Sequence, residues 1–157
     1  MMTSTADIQR VFVDSSAWID LMNKNERHHT LAVAFHKSLA PMTLRITTWG
    51  IISETFTWIR YHVGSHEASR WLALKDSLEH QGFLQVVFPD AQMELGVRKV
   101  LDRFHDQTLS YVDAFSIALI QSRPDIDAIF AFDHHMTLAG LPVLPGLLDK
   151  AAKLGKA

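Results

Sequence analysis

The sequence predicts an α/β layer fold with a mostly parallel central sheet. Short apolar runs alternate with segments of helical periodicity along the whole chain, as in strands joined by crossover helices. The 157 residues, 48% of them hydrophobic, suffice for one compact core. No internal repeat, low-complexity tract or linker divides the chain. We therefore expect a single domain over residues 1–157, with its core from about residue 8 to 146 and a polar C-terminal tail.

Five segments show the short apolar pattern of buried strands. They are residues 8–13, 43–48, 83–88, 128–132 and 141–144. The first contains the run VFV and stops at Asp14, and the fourth is the run AIFAF, which stops at Asp133. Pro89 closes the third of these segments. The strands are thus spread along the chain, as a parallel sheet requires.

Six segments between the strands carry helical spacing or helix signals. They are residues 16–22, 30–39, 49–63, 65–80, 90–104 and 111–122. Ser15 or Ser16 is expected to cap the first helix, and Asp90 to cap the fifth. The apolar stripe of the third helix is expected on Ile52, Phe56, Ile59 and Val63. All four tryptophans fall in helical patterns, which favours packing over base stacking.

Composition excludes several classes of protein. A formal charge of −2 and a pI near 6.5 argue against a strongly basic protein that holds duplex nucleic acid by bulk electrostatics. The absence of cysteine removes disulfides, thiolate zinc sites and cysteine nucleophiles. No signal peptide or membrane-spanning run is visible, so the expected compartment is the cytoplasm, with no membrane partner.

Two predicted strands end in an aspartate, Asp14 and Asp133. In open parallel sheets, ligands bind beyond the carboxyl ends of the strands, which makes these acids candidates for a functional site. An aspartate between a strand and a helix is also a good N-cap. For either residue alone, capping is the favoured interpretation.

Two further acids lie on predicted helices. Glu54 is too far inside its helix to cap it, and its alternatives are a salt bridge to Arg60 or Arg45 or an exposed gap in the apolar stripe. Asp113 stands three residues after Ser110, the spacing of a capping box. That motif explains the acid without a metal, yet a carboxylate in a first helical turn can also face a cleft.

Taken together, the four acids Asp14, Glu54, Asp113 and Asp133 can converge at one edge of a parallel sheet. Four unpaired carboxylates so close would repel one another unless cations lay between them. An all-oxygen site suits Mg²⁺ or Mn²⁺ better than Zn²⁺. One or two such ions can activate water for attack on a phosphodiester.

Four motifs resemble the PIN-domain family, most closely the VapC-type toxins, over about residues 11–145. The motifs are VFVDSSAWIDL, TTWGIISETFT, DQTLSYVDAFSIALI and AIFAFDHHMTLAG. The resemblance implies a three-layer α/β/α sandwich and a metal-dependent endoribonuclease. It also implies a cognate VapB-type antitoxin and a homodimer.

The resemblance implies that Asp14, Glu54, Asp113 and Asp133 are catalytic and hold one or two Mg²⁺ or Mn²⁺ ions. Water activated by the metal would be the nucleophile, with no covalent intermediate. Residues expected to support these acids or add another are Ser15, Ser16, Asp106 and Ser110. For Asp106, an ordinary turn residue is a strong alternative.

The histidines of IFAFDHHMT leave more than one interpretation open. Neighbouring side chains in an extended segment point to opposite sides, so His134 and His135 are not expected to share one ion with Asp133. A solvated helix start is the favoured interpretation. Contact with RNA, or help in binding a softer ion, is the alternative, and His28 and His29 have a similar one as part of an RNA-contacting loop.

Other functions remain as alternatives. FDHHM also suggests a DHH-type phosphoesterase, but that family needs further aspartate motifs and a longer chain. A phosphotransfer domain of the haloacid-dehalogenase kind is disfavoured because Ser16 stands where its second aspartate belongs. A catalytically silent PIN-like module that binds RNA or protein is the alternative from another class, with the acids kept as caps.

Overall fold

The computed structural model describes residues 4–145, so the predicted C-terminal tail lies outside the described residues. Its five strands are β1 Arg10–Val13, β2 Leu44–Thr48, β3 Leu84–Val87, β4 Ala128–Ala131 and β5 Val143–Pro145. Its six α-helices are α1 Ser15–Met22, α2 His29–Ser38, α3 Trp49–His62, α4 Ser65–His80, α5 Met93–Arg103 and α6 Tyr111–Ser122. Two 3₁₀ turns span Thr5–Asp7 and His134–Ala139.

All five strands are parallel and form one sheet in the order β3-β2-β1-β4-β5. The chain moves outward from β1 to β2 and β3, and then returns to place β4 on the other side of β1. Strand order therefore changes direction between β1 and β4, where ligands bind in open α/β sheets. Asp14 directly follows β1, and Asp133 lies just after β4.

The sheet is central because its strands are apolar on both faces. Every residue of β4 is buried, as are the last three residues of β1. The helices α1 to α4 pack in one connected group, and α5 packs against α6. Right-handed crossovers place these two groups on opposite faces, which gives the three-layer α/β/α arrangement.

Most predicted elements are present with small changes at their ends, but some details of their caps and buried faces are wrong. Neither Ser15 nor Ser16 caps α1; Asp14 does, through its side chain. The buried residues of α3 are Ile51, Thr55 and Ile59, so Ile59 alone of the predicted stripe is fully buried, and Val63 is 40% exposed. Thr48 Oγ1 accepts a hydrogen bond from the Ile51 amide and so caps the N-terminus of α3.

The start of α5 lies later than predicted. Asp90 Oδ1 accepts from the Met93 amide at 2.9 Å, although Gln92 occupies the cap position. Asp90 therefore accepts a hydrogen bond from the first amide of the helix, although it lies before the cap position.

The tryptophans divide into two groups. Trp18 and Trp71 are buried and pack edge to face, with ring centroids 6.0 Å apart. Trp49 is 51% exposed and so lies outside the core. Trp58 is half-buried and stacks on the His62 ring.

None of the helices within residues 4–145 combines the length and the apolar character that a membrane span requires.

Candidate active site

The four predicted acids lie at the carboxyl edge of the sheet, close enough for their charges to interact. Asp14 follows β1, Glu54 lies in the second turn of α3, Asp113 in the first turn of α6, and Asp133 follows β4. Burial raises the pKa of both Asp14 and Glu54, and the charges of Asp113 and Asp133 raise both further. The residues come from four separate parts of the chain, so the fold creates this concentration of negative charge.

Asp14 is the most deeply buried of the four, with 3% of its surface exposed. Burial is the main reason that the pKa of its carboxyl is raised from 3.8 to about 6. The nearby charges of Asp133 and Asp113 raise it further, whereas hydrogen bonds from Ser16 act in the opposite direction. Asp14 is therefore an N-cap whose charged form is destabilised by burial and by the nearby acids.

Ser16 ties Asp14 to the neighbouring strand. Its hydroxyl donates to Asp14 Oδ2 at 2.6 Å and accepts from the Phe132 amide at 3.0 Å. The Asp14 amide in turn donates to the Phe130 carbonyl at 3.1 Å. These contacts fix the carboxylate at the end of β1 relative to the segment that carries Asp133.

Glu54 is half-buried in the middle of α3. Burial raises the pKa of its carboxyl from 4.5 to about 7, and the charges of Asp14, Asp113 and Asp133 add to this rise. A hydrogen bond from the Ser15 side chain opposes it. The alternative of a salt bridge to Arg45 is wrong, because that guanidinium is buried and donates to His36 Nε2 and the Thr43 carbonyl.

Asp113 forms the predicted capping box. Its Oδ2 accepts from the Ser110 amide at 3.2 Å, and its own amide donates to Ser110 Oγ at 3.0 Å. The starts of α3 and α6 lie close together, since a Cβ added to Gly50 would stand 3.0 Å from Val112 Cγ2. This close approach brings the helix of Glu54 next to the helix of Asp113.

Asp133 and the two histidines do converge, contrary to expectation. The segment after Asp133 is a 3₁₀ turn rather than an extended chain, so the side chains of His134 and His135 lie on the same side. Their ring centroids are 4.2 Å apart. Within residues 4–145, these three residues form the one group whose potential ligand atoms all lie within 4.8 Å of one another.

The donor set of the four acids fits a divalent cation. It consists of carboxylate oxygens, the ligands that Mg²⁺ and Mn²⁺ prefer. Two of the carboxyls have their pKa raised by burial and by the other acids, which is the electrostatic conflict that a cation relieves. Among the described residues, no three of the four carboxylates lie within 4.8 Å of one another.

Three further candidate residues are Asp106, His28 and His29. Asp106 is exposed in the turn between α5 and α6, as its turn alternative predicts. The ring of His28 stacks on Phe132, with centroids 4.8 Å apart. His29 Nδ1 lies 2.8 Å from the Asp20 carbonyl. The two histidines are thus engaged by the fold instead of forming a free polar loop.

Sequence patterns missed an aromatic cavity next to the acids. It has a volume of about 180 Å³ and is lined by Trp49, Pro89, Tyr111 and Phe115 among others. Trp49 begins the helix of Glu54, and Tyr111 begins the helix of Asp113. The one sequence feature that could have indicated this cavity is the position of Trp49 and Tyr111. Each is the first residue of its helix and lies outside the apolar stripe.

Solved structures of other proteins are similar to this fold. VapC20 of Mycobacterium tuberculosis, a toxin that cleaves the sarcin–ricin loop, superposes with a TM-score of 0.73 and 27% identity. The match covers 83% of this chain and 95% of that one. The chain has a PIN-like fold. This confirms the predicted α/β class and its parallel sheet.

A second solved structure supports the fold alone. FitAcB from Neisseria gonorrhoeae matches with a TM-score of 0.57 at 13% identity, over 87% of this chain and 98% of that one. No protein-family model and no curated protein sequence matches the chain.

Proposed function

We propose that this protein is a metal-dependent endoribonuclease that hydrolyses RNA phosphodiester bonds as the toxin of a VapBC-type toxin–antitoxin pair. The PIN-like fold and the 27% identity to VapC20, over most of both chains, support a nuclease toxin. VapC20 cleaves the sarcin–ricin loop. Structured RNA is therefore the substrate class that we assign to this chain.

The observation that carries the proposal is the position of Glu54. Asp14 and Asp133 cap helical segments, and Asp113 belongs to a capping box, so each of these acids has a structural role. Glu54 has no capping role, yet burial raises the pKa of its carboxyl to about 7, and the charges of the other three acids add to that rise. An arrangement that costs stability at this point is explained by one or two cations that bind between the carboxylates.

The chain's own residues would hold and orient such a centre. Asp14, Glu54, Asp113 and Asp133 would bind one or two Mg²⁺ or Mn²⁺ ions. Ser16 fixes the carboxylate of Asp14 through its 2.6 Å hydrogen bond. When bound, ions of this kind activate water and stabilise the leaving oxygen of a phosphodiester.

The partners follow from the same proposal. A VapB-type antitoxin would cover the acidic edge of the sheet, and two copies of the chain would form a homodimer. The cytoplasm, where RNA and antitoxin are both present, is the proposed compartment.

A catalytically silent PIN-like module is the second candidate, favoured by the capping roles of three of the four acids. In that case the acids stabilise helix starts and the cleft binds RNA or protein without cleaving it. The discriminating residue is again Glu54, which a silent module does not require.

Cleavage of defined RNA tests the proposal. The purified, antitoxin-free protein is incubated with a hairpin bearing a sarcin–ricin loop and with a pool of structured RNA, in Mg²⁺, in Mn²⁺ and in EDTA. We expect metal-dependent cutting that Glu54→Gln abolishes. Glu94→Gln serves as the matched control, because Glu94 is exposed on α5 and pairs with Arg98.

The two candidates give different results. A folded Glu54→Gln protein without activity, beside an active Glu94→Gln protein, supports the nuclease. If the folded wild-type protein cuts no RNA with either ion, the silent module becomes the better explanation of the fold.

A further inference from the structure

Two imidazoles stand beside the proposed nuclease centre without a role in it. His134 Nδ1 lies 3.8 Å from Asp133 Oδ1, and His135 Nδ1 lies 3.3 Å from the same oxygen. The exposed fractions of these side chains are 64% for His134, 19% for His135 and 32% for Asp133. The group is therefore accessible to an ion from solvent while His135 remains largely enclosed.

The spacing fits a tetrahedral transition-metal site. Ligand atoms about 2.0–2.2 Å from Zn²⁺ lie about 3.3–3.6 Å from one another in that geometry. The two nitrogen–oxygen distances, 3.3 and 3.8 Å, are close to this range. All three ligand atoms lie within 4.8 Å of one another, so side-chain rotation toward a common ion is the remaining step.

The turn that carries the ligands is held firmly. Asp133 Oδ1 accepts from the His135 amide at 2.9 Å, and Thr137 Oγ1 donates to the His134 carbonyl at 2.7 Å. Met136 is fully buried beneath the turn, and Gly140 closes it with a φ of 84°. Because the backbone is already ordered, ion binding costs little conformational entropy here.

We propose that Asp133, His134 and His135 form a binding site for a transition-metal dication of the Zn²⁺ type, with its remaining coordination positions open to solvent. Imidazole nitrogen favours such ions over Mg²⁺, which prefers oxygen. The site shares Asp133 with the four-acid centre. Occupation by Zn²⁺ therefore withdraws one carboxylate from Mg²⁺, a regulatory consequence that rests on the proposed function, whereas the ion site itself does not.

Zinc titration without RNA tests the site. Affinity is measured by competition with a chromophoric chelator for the wild-type protein, for His134→Gln with His135→Gln, and for His66→Gln. His66 is an exposed histidine at the start of α4 and serves as the control. We expect the double variant to bind Zn²⁺ on the order of 10-fold more weakly or worse, with the His66→Gln protein unchanged.

Nuclear magnetic resonance of ¹⁵N-labelled histidine locates the ion. We expect Zn²⁺ to shift the ring nitrogens of His134 and His135, identified by their loss in the single variants. The site is overturned if the folded double variant keeps wild-type affinity, or if the wild-type protein binds no Zn²⁺. Zinc binding at these rings in a protein that cuts no RNA would retain the site and reject only the nuclease.

Discussion

The Ser16 hydroxyl lies 2.6 Å from Asp14 Oδ2 and donates a hydrogen bond to it. The same oxygen atom of Ser16 accepts from the Phe132 amide at 3.0 Å. One small side chain thus connects the ends of β1 and β4, the two strands between which the sheet changes direction. The position of the buried carboxylate depends on this connection.

Replacing Ser16 with alanine should lower stability and raise the pKa of Asp14. The Phe132 amide loses its side-chain acceptor, which we expect to cost about 1–3 kcal/mol in the free energy of unfolding. The pKa of Asp14 should rise above its value of about 6, because the hydrogen bond that favours the carboxylate is lost. Urea unfolding and a ¹³C titration of the carboxyl measure the two effects.

Ser122→Ala is the control for this substitution. Its hydroxyl donates to the Leu119 carbonyl within α6, away from the acids. Equal losses of stability in the two variants would show that the connection between β1 and β4 contributes nothing specific.

The metal-free protein should become less stable as the pH rises through the range of the buried acids. The pKa of Asp14 is raised from 3.8 to about 6 and that of Glu54 from 4.5 to about 7. The folded protein therefore binds protons more readily than the unfolded chain between about pH 4 and pH 7. The contribution of these groups to the free energy of unfolding falls across that window and stays low above it.

Asp14→Asn isolates this effect, since its amide oxygen can still accept from Ser16. In EDTA at pH 8 we expect a gain of about 1–3 kcal/mol over the wild-type protein, and little difference near pH 4. Asp102→Asn, at an exposed position on α5, should show no such dependence. If the variant is less stable than the wild-type protein at pH 8, the charged carboxylate of Asp14 does not destabilise the fold.

The elements and the four acids were predictable because their signals are local. The runs ending at Asp14 and Asp133 are apolar over their whole length, and the Ser110–Asp113 spacing is a complete capping box. Parallel strands with crossover helices then place acids that follow strands at one edge. The fold class follows from the same alternation.

The errors arose where tertiary contacts decide local geometry. The sequence offered both Asp14 and the two serines as caps of α1; Asp14 takes the cap position, and Ser16 accepts instead from Phe132, a residue 116 positions away. The histidines converge because the chain after Asp133 turns as buried Met136 packs beneath it. Neither contact has a signature in the neighbouring sequence.

Binding of Mg²⁺ or Mn²⁺ should release protons near pH 6.5. At that pH the carboxyls of Asp14 and Glu54, with pKa values of about 6 and about 7, are partly protonated, and ion binding requires the charged forms. We expect release on the order of one proton per protein at pH 6.5 and little at pH 8.5. Calorimetry in two buffers of different ionisation enthalpy measures the number.

Glu54→Gln should reduce this release, whereas the exposed Glu94→Gln should leave it unchanged. Release that is equal at the two pH values would indicate that the ion binds away from these carboxyls.

Substitutions at the two residues of the capping box should have different effects on stability and on RNA cleavage. Ser110→Ala removes the acceptor of the Asp113 amide, which we expect to cost about 1 kcal/mol in the free energy of unfolding while the carboxylate remains. Asp113→Asn keeps an oxygen that can accept from the Ser110 amide, so its loss of stability should be smaller. Under the proposed nuclease function, RNA cleavage should survive in the first variant and fail in the second.

Unfolding curves and cleavage rates of both variants, measured at one Mg²⁺ concentration, distinguish a ligand from a cap. If cleavage instead follows stability, with Ser110→Ala the more damaged enzyme, Asp113 acts only by starting α6. Loss of cleavage in a stable Asp113→Asn protein would assign its charge to the four-acid centre, because the helix start is then intact.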